Sequence, residues 1–305
     1  MKPEVLAAID IGSNAVRLLV NTVEVNGPEY SFKKAAYLRV PIRLGEDVFT
    51  TRRVGDSKAA HLVEAMQGFT HIMTAFGVLE FRACATSAMR DASNGPELTQ
   101  AIRERTGIDV QIISGQEEAD LVYAAAAQRK LVTDGVTRLH VDVGGGSTEL
   151  ILYTDGQFRL HDSFQLGTVR MLTNAVADSE KERFIRGLHE LCSRYAPECV
   201  VASGGNINKT HKLLGKKNGE PIRPRELGEL LERLSALSIQ ERMRDFDLND
   251  YRADVIVPAL QIFQCICAQC SSIRTLCVPK IGLADGLILD MYKKRSPSGA
   301  YNKDQ

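Results

Sequence analysis

The sequence predicts an α/β protein of two related domains, each built on a mixed sheet, facing one another across a central cleft. Two observations carry that prediction. A short pattern occurs twice, as Ala7-Ala8-Ile9-Asp10-Ile11-Gly12-Ser13-Asn14 and as Leu139-His140-Val141-Asp142-Val143-Gly144-Gly145-Gly146-Ser147-Thr148. Each copy reads as a strand with an Asp between β-branched residues, a glycine turn with small polar side chains, and a second strand. The elements after each copy also follow in the same order, which makes Asp10 and Asp142 equivalent positions of a duplication.

In the first half the second strand covers residues 16–23 and a third lies near 31–40. A helix over 57–76 carries Leu62, Met66, Phe69, Met73 and Phe76 at alternating spacings of four and three. A strand at 81–85 follows, then a helix opening at Pro96, where proline suits a first turn, a strand at 110–113 and a helix from Gln116. The second half repeats the scheme with strands at 149–153 and 158–164, a helix from about 179, and a strand at 199–202. Helices follow near 206–214, 226–237 and 253–270, then a strand at 275–278 and a last helix over 283–293. The tail from Ser296, reading Ser-Pro-Ser-Gly, is expected to be disordered.

Composition narrows the class. A chain of 305 residues with 44% hydrophobic and 25% charged residues suits a two-domain globular protein. Lys plus Arg and Asp plus Glu both number 38, so the net charge is zero. That argues against a protein built to coat nucleic acid or an anionic membrane. The apolar run at 5–9 is broken by Asp10 too early for a secretory signal. An uncharged run at 255–273 contains Pro258, Gln261, Gln264 and Gln269, and reads as a helix buried in protein, not a membrane span. A cytoplasmic location is expected.

The cysteines are Cys84, Cys192, Cys199, Cys265, Cys267, Cys270 and Cys277. Their odd number and the lack of a leader predict reduced thiols. Cys265, Cys267 and Cys270 look like half a metal motif. No second pair accompanies them, and on a helix Cys265 and Cys267 point about 200° apart, so packing is the expected role.

The turns carry the chemistry. Gly12-Ser13-Asn14 and Gly144-Gly145-Gly146-Ser147-Thr148 bring backbone N–H groups and small polar donors together, as a phosphate cradle requires. Ser203-Gly204-Gly205-Asn206, between a strand and a helix N-terminus, is a third candidate. Each alone is equally a tight turn. Asp10 and Asp142 end buried strands, where an unpaired charge is costly. A hard cation such as Mg²⁺ between Asp142 and phosphates would offset that cost, with Glu149 as a second ligand through water. The other reading is that these carboxylates bond turn amides. Ser114 and Glu117 match a capping box. Glu118, one residue on, could orient or deprotonate a water, or simply favour the helix dipole. Arg90 and Arg17 are available to phosphate oxygens or to surface ion pairs. Residues 209–225 hold Lys209, Lys212, Lys216, Lys217, Arg223 and Arg225 against a single Glu220, a solvated loop or a track for a polyanion.

These segments together resemble the exopolyphosphatase and guanosine pentaphosphate phosphohydrolase family, within the actin, sugar kinase and chaperone ATPase superfamily. The resemblance runs from about Val5 to Tyr292 and includes residues 7–18, Ile-Arg-Leu-Gly-Glu at 42–46 and Ala-Thr-Ser-Ala-Met-Arg at 85–90. It continues through Ile-Ser-Gly-Gln-Glu-Glu-Ala at 113–119, residues 141–149 and Ser-Gly-Gly-Asn at 203–206. It implies two actin-like (ribonuclease H-like) domains. Domain I comprises residues 1–124 with a C-terminal helix at about 287–305, and domain II comprises residues 125–286.

It also implies hydrolysis of the terminal phosphate of inorganic polyphosphate, with guanosine pentaphosphate as the alternative substrate. The catalytic base falls on Glu118 and a phosphate-contacting arginine on Arg90. The metal-associated acids fall on Asp142 and Glu149, with Asp10 as a further candidate, for Mg²⁺ or Mn²⁺. The phosphate loops fall on residues 12–14, 144–148 and 204–206, with Arg17 beside the first. Partners are expected to be phosphate chains or guanosine penta- or tetraphosphate, without nucleic acid or membrane, and homodimerisation is left open. Gly282-Leu283-Ala284-Asp285-Gly286 departs from the family's Gly-Leu-Arg-Glu-Gly, and 305 residues leave no room for the extra helical domains of longer members. A superfamily kinase and a guanosine tetraphosphate sensor without turnover are the readings from other classes.

Overall fold

The computed structural model describes residues 4–26, 29–128 and 135–295. The chain forms two compact units, one from the residues up to Ala125 with those from Gly282 onward, the other from Ala126–Ile281.

Unit 1 opens with β1 (Glu4–Ile11), β2 (Val16–Asn26) and β3 (Glu29–Val40), followed by α1 (Leu44–Thr51), α2 (Asp56–Ala75) and β4 (Glu80–Ala85). Then come α3 (Ser87–Asp91), α4 (Gly95–Thr106), β5 (Val110–Ile112) and α5 (Gly115–Gln128). Its sheet has the order β3-β2-β1-β4-β5. β1 pairs antiparallel with β2 and parallel with β4. As a central strand with both faces covered, β1 is apolar almost throughout, and Leu6 to Ile9 are fully buried. β3 lies at an edge and carries the exposed Lys33 and Lys34, charges that discourage pairing with another chain.

Unit 2 repeats this plan with β6 (Arg138–Val143), β7 (Thr148–Thr154), β8 (Gln157–Phe164), α6 (Thr168–Leu172), α7 (Asp178–Tyr195) and β9 (Cys199–Ser203). α8 (Gly205–Leu213), α9 (Pro224–Ser235), α10 (Ile239–Phe246), α11 (Asp250–Ala253), α12 (Ile256–Gln269) and β10 (Thr275–Cys277) complete it. The sheet order β8-β7-β6-β9-β10 matches that of unit 1 strand for strand. Even the irregularities agree. The β2–β3 register shifts between Val20 and Asn21, and the β7–β8 register shifts between Leu152 and Tyr153. Each shift begins three residues past the residue opposite the equivalent aspartate, Arg17 in one unit and Glu149 in the other.

The chain then returns to unit 1 with α13 (Leu283–Arg295), whose Leu283, Ala284, Leu287, Ile288 and Met291 join Leu6, Ala8, Cys84 and Leu121 in one core cluster. Gly286 is required there, because a Cβ would lie 2.2 Å from the Leu121 carbonyl oxygen. Ala284, which stands where the family pattern has Arg, is thus a core residue of unit 1.

The predicted strands and the long helices are present, differing only at their ends. No helix was predicted at α1, α3, α6, α10 or α11, which are too short to show a period. α10 nevertheless carries a legible start, since Ser238 and Glu241 form a reciprocal capping box. The apolar run at 255–273 forms α12, which is buried in the core of unit 2, and no helix among the described residues is long and apolar enough to cross a membrane. The tail from Ser296 lies outside the described residues.

The expectation of reduced thiols needs correction. Cys192 of α7 and Cys270 after α12 form a disulfide, with Cα atoms 5.3 Å apart and a sequence separation of 78. The packing of α7 beside α12 makes that pairing, and sequence spacing does not reveal it. Cys265 and Cys267 pack against the core as expected.

Candidate active site

In unit 1 the turn after β1 is closed by Gly12 N–H donating to Ala15 O at 3.1 Å. Ser13 and Asn14 are buried, and their carbonyls accept from Gly45 and Arg43 at 2.9 and 3.1 Å. The Ile-Arg-Leu-Gly-Glu segment therefore forms the start of α1 and props the turn. Arg43 takes up a left-handed conformation (φ 59°) to make that approach.

Asp10 stands opposite Arg17 in register and forms an ion pair with it. The guanidinium thus supplies a counter-charge to the buried Asp10. Cys84 is Asp10's parallel partner on β4, and burial pushes its thiol up to about 12. Cys84 is accordingly an inert thiol.

Glu118 lies in the first turn of α5, and its N–H donates to Ser114 O at 3.0 Å. Arg90, in α3, donates from Nη1 to Ile113 O at 2.8 Å and to Glu118 Oε2 at 3.2 Å. The carbonyl ending β5 thus aims the guanidinium, and the guanidinium holds the carboxylate. Both side chains are largely shielded from solvent. The capping box is only half as expected: Ser114 Oγ accepts from Glu117 N–H at 3.1 Å, whereas the Glu117 carboxylate pairs with Arg82 at 2.7 Å. Arg82 also holds Asp290 of α13 at 2.9 Å, so Glu117 belongs to the network that ties α13 down.

Unit 2 assembles a polar row across its sheet. Ser203 of β9, Asp142 of β6, Glu149 of β7 and Ser163 of β8 are successive register partners and share one face. Glu149 is buried, and its two oxygens accept from Ser163 Oγ at 2.9 Å and pair with His161 Nε2 at 3.1 Å. His140, two residues before Asp142, is fully buried and hydrogen-bonds Ser203 Oγ through Nε2 at 3.1 Å. Burial holds its imidazole neutral, down to about 4.

The turn at Gly144 to Ser147 is closed by Gly144 N–H to Ser147 O at 2.9 Å. From behind, the start of α6 clamps it: Val169 N–H donates to Gly145 O at 2.8 Å, and Arg170 Nε donates to Gly146 O at 2.9 Å. A Cβ at Gly167 would lie 2.5 Å from the backbone of Gly145 and Gly146, so glycine is required for that approach. Gly144 is exposed, and Gly145 and Ser147 are half-buried. Thr148 differs from the expectation. It is fully buried and its hydroxyl donates to Leu166 O, so it secures the turn's support.

Gly204 brings the third turn to the same strand end. Its φ of 111° suits glycine, and a Cβ there would lie 2.8 Å from Val143 O and 3.3 Å from Asp142 Oδ1. Gly205 opens α8 and is exposed. Asn206 Nδ2 reaches Val255 O at 3.4 Å. Arg252 of α11 donates to Gly205 O, a basic neighbour that sequence reasoning missed because it lies 47 positions along the chain.

The basic stretch divides. Lys216 is held by Glu220 at 3.1 Å and Glu226 at 2.7 Å. Lys209 donates to Asp247 O at 2.9 Å. Burial, with Lys212 and Arg252 nearby, lowers its pKa against the opposing pull of Asp247. Lys212 and Lys217 are exposed.

Two α/β units of one topology, each with an aspartate-bearing strand running into a glycine turn, define a protein of the actin-like fold. The chain belongs to the Ppx/GppA phosphatase family, whose model matches residues 28–295. Exopolyphosphatase 1 of Mycobacterium tuberculosis and that of Mycobacterium bovis are each 29% identical to it over 178 residues, 58% of this chain and 51% of theirs. The match therefore spans about half the length of these curated relatives. Solved structures share the fold. A family member from Aquifex aeolicus, 24% identical, gives a TM-score of 0.75 over 96% of this chain and 99% of its own. An exopolyphosphatase from Cytophaga hutchinsonii, 20% identical, gives 0.83 over 96% and 99%.

Proposed function

We propose that the chain hydrolyses the terminal phosphoanhydride bond of inorganic polyphosphate by in-line attack of water. The observation that carries this reading is the Arg90–Glu118 pair at the start of α5, in a chain of a phosphatase family. A carboxylate fixed by a guanidinium, largely shielded yet in a first helical turn, is suited to orient a water and accept its proton. Arg90 is then placed to contact the phosphoryl group as well as the base. Within unit 2, the exposed Gly144 and Gly205 lie in turns of the kind whose backbone amides bind phosphate oxygens. Lys212 and Lys217 would meet the distal part of a chain.

The donor set suits Mg²⁺ in one particular way. Among the described residues no group of three His, Cys, Asp or Glu side chains could hold a metal ion. Asp10 is engaged by Arg17, and Glu149 by His161 and Ser163. Asp142 is half-buried and adjoins the Gly204 turn. Mg²⁺ commonly takes one or two carboxylates and completes its shell with water and substrate phosphates, which fits Asp142 as direct ligand with Glu149 behind it. Its chemistry there would be charge neutralisation on the phosphoryl oxygens.

Phosphate release from polyphosphate and from guanosine pentaphosphate, measured side by side, tests the reading. Release from polyphosphate is expected at the higher kcat/KM. Preference for the nucleotide would reassign the substrate. Release only with an added acceptor, or tight guanosine tetraphosphate binding with no release, would replace the hydrolase by a kinase or a sensor.

A further inference from the structure

Away from these turns, unit 2 holds a second chemically unusual place, at the opposite end of β9. Cys199 begins β9 and Cys277 ends β10, and their sulfurs are 3.4 Å apart. The register places Thr275 beside Cys199 on β10 and Arg138 beside Cys199 on β6, so the three β-sheet neighbours of one face converge on that sulfur. Both cysteines are half-buried.

We propose that Cys199 is a modification site, a thiolate that reacts with hydroperoxides and other soft electrophiles ahead of every other free thiol described. Reactivity follows the thiolate, which needs donors and positive charge around the sulfur together with a path for the reagent. Cys199 has them: its sulfur hydrogen-bonds the Cys277 sulfur, Thr275 adds a side-chain hydrogen bond, and the Arg138 guanidinium contributes positive charge. Together they pull the Cys199 thiol below its usual range against the cost of burial. The same contact pushes the ionisation of Cys277 up. The Cys199 sulfur also lies 3.5 Å from the Val200 carbonyl, a contact that favours the protonated form and opposes Cys277, Thr275 and Arg138. Elsewhere burial raises Cys265, and it raises Cys84 and Cys267 to about 12. Those thiols stay protonated and inert.

With a hydroperoxide, the Cys199 sulfur attacks the terminal oxygen, an S–O bond forms and the O–O bond breaks. The sulfur is oxidised by two electrons to the sulfenic acid, and the departing oxygen leaves as hydroxide or alkoxide and takes a proton from water.

The inference is independent of the phosphatase reading and is tested without it. Native protein is treated briefly with iodoacetamide across pH 5–9, and each cysteine's modification is followed by peptide mass spectrometry. At pH 7, Cys199 is expected to react about tenfold or more faster than Cys265, with a pH midpoint at least about one unit lower. Cys277→Ala should slow Cys199 by about tenfold and move its midpoint up. Hydrogen peroxide followed by a sulfenate-trapping dione should label Cys199 first. Because the Cys199–Cys265 comparison is among thiols of one native wild-type molecule, misfolding of a variant cannot mimic it. Equal rates for Cys199 and Cys265 in the wild-type chain, or no effect of Cys277→Ala, would overturn the assignment.

Discussion

Asp142 and Glu149 stand directly opposite one another in antiparallel register, on one face of the unit 2 sheet. The equivalent places in unit 1 hold Asp10 and Arg17, which neutralise each other. Two carboxylates opposed across strands repel, so the acidic pair persists only with compensating partners. Ser163 and His161 serve Glu149 in that way. Duplication has therefore left one unit with a closed ion pair and the other with an acidic pair at the edge of two glycine turns.

That acidity gives the first expectation. Chelation of divalent metal should abolish phosphate release, and Glu149→Ala should raise the Mg²⁺ concentration needed for half-maximal activity. Activity that survives excess chelator undiminished would remove the metal from the reaction.

Glu118→Gln should preserve the fold and polyphosphate binding while lowering turnover on the order of 10²-fold or more, because the amide accepts no proton from water. Binding is read by titration and turnover by phosphate release. Wild-type turnover in the variant would clear Glu118 of any part in the chemistry.

The glycine that backs the Gly144 turn sets a stability test with opposite signs at two positions. Gly167→Ala forces a Cβ against the backbone of Gly145 and Gly146 and should cost about 1–3 kcal/mol. Gly68→Ala, in α2 with open space around it, should add about 0.5–1 kcal/mol. Urea unfolding of the two variants beside the parent measures both, and similar shifts in both would contradict the packing seen at Gly167.

His140 predicts a pH dependence. Its folded pKa of about 4 lies below the ordinary 6.5, so between those values the unfolded chain binds the extra proton. Its contribution is complete above about pH 6.5 and is lost as pH falls toward 4, by about 3 kcal/mol. The difference in stability between wild type and His140→Gln, followed from pH 7 to pH 4, should shrink by about that amount. A constant difference would mean that His140 does not titrate in this window.

For the basic stretch, Lys212→Ala with Lys217→Ala should weaken binding of long polyphosphate at low ionic strength and leave a short oligophosphate almost unchanged. Lys216→Ala should instead loosen the start of α9, since Lys216 holds Glu226 of its capping box. Equal long-chain affinity in the parent and the double variant would reduce Lys212 and Lys217 to solvated surface.

Much of this was readable beforehand because it is local. Runs such as Leu139 to Val143 announce a covered strand, and the spacing of Leu62, Met66 and Phe69 announces α2. Register is not local. Nothing in the sequence shows that Ser203, Asp142, Glu149 and Ser163 form one row, since the partners come from four strands joined by helices and turns. The Arg90–Glu118 contact, the capture of the Thr148 hydroxyl by Leu166 and the engagement of Lys216 are likewise choices made by packing. The helix α10 is the exception, because Ser238 and Glu241 marked its start in plain view.

The return of α13 to unit 1 orders events during synthesis. Every residue of unit 2 is translated between the strands of unit 1 and the helix that covers them. Until α13 emerges, Leu6, Ala8 and Cys84 lack Leu287 and Ile288 and remain partly wet. Unit 2 meets no such delay, being continuous in the chain. The later-encoded unit is therefore whole in a single run of chain, whereas the earlier-encoded one is joined from two distant segments and closes only with its final helix.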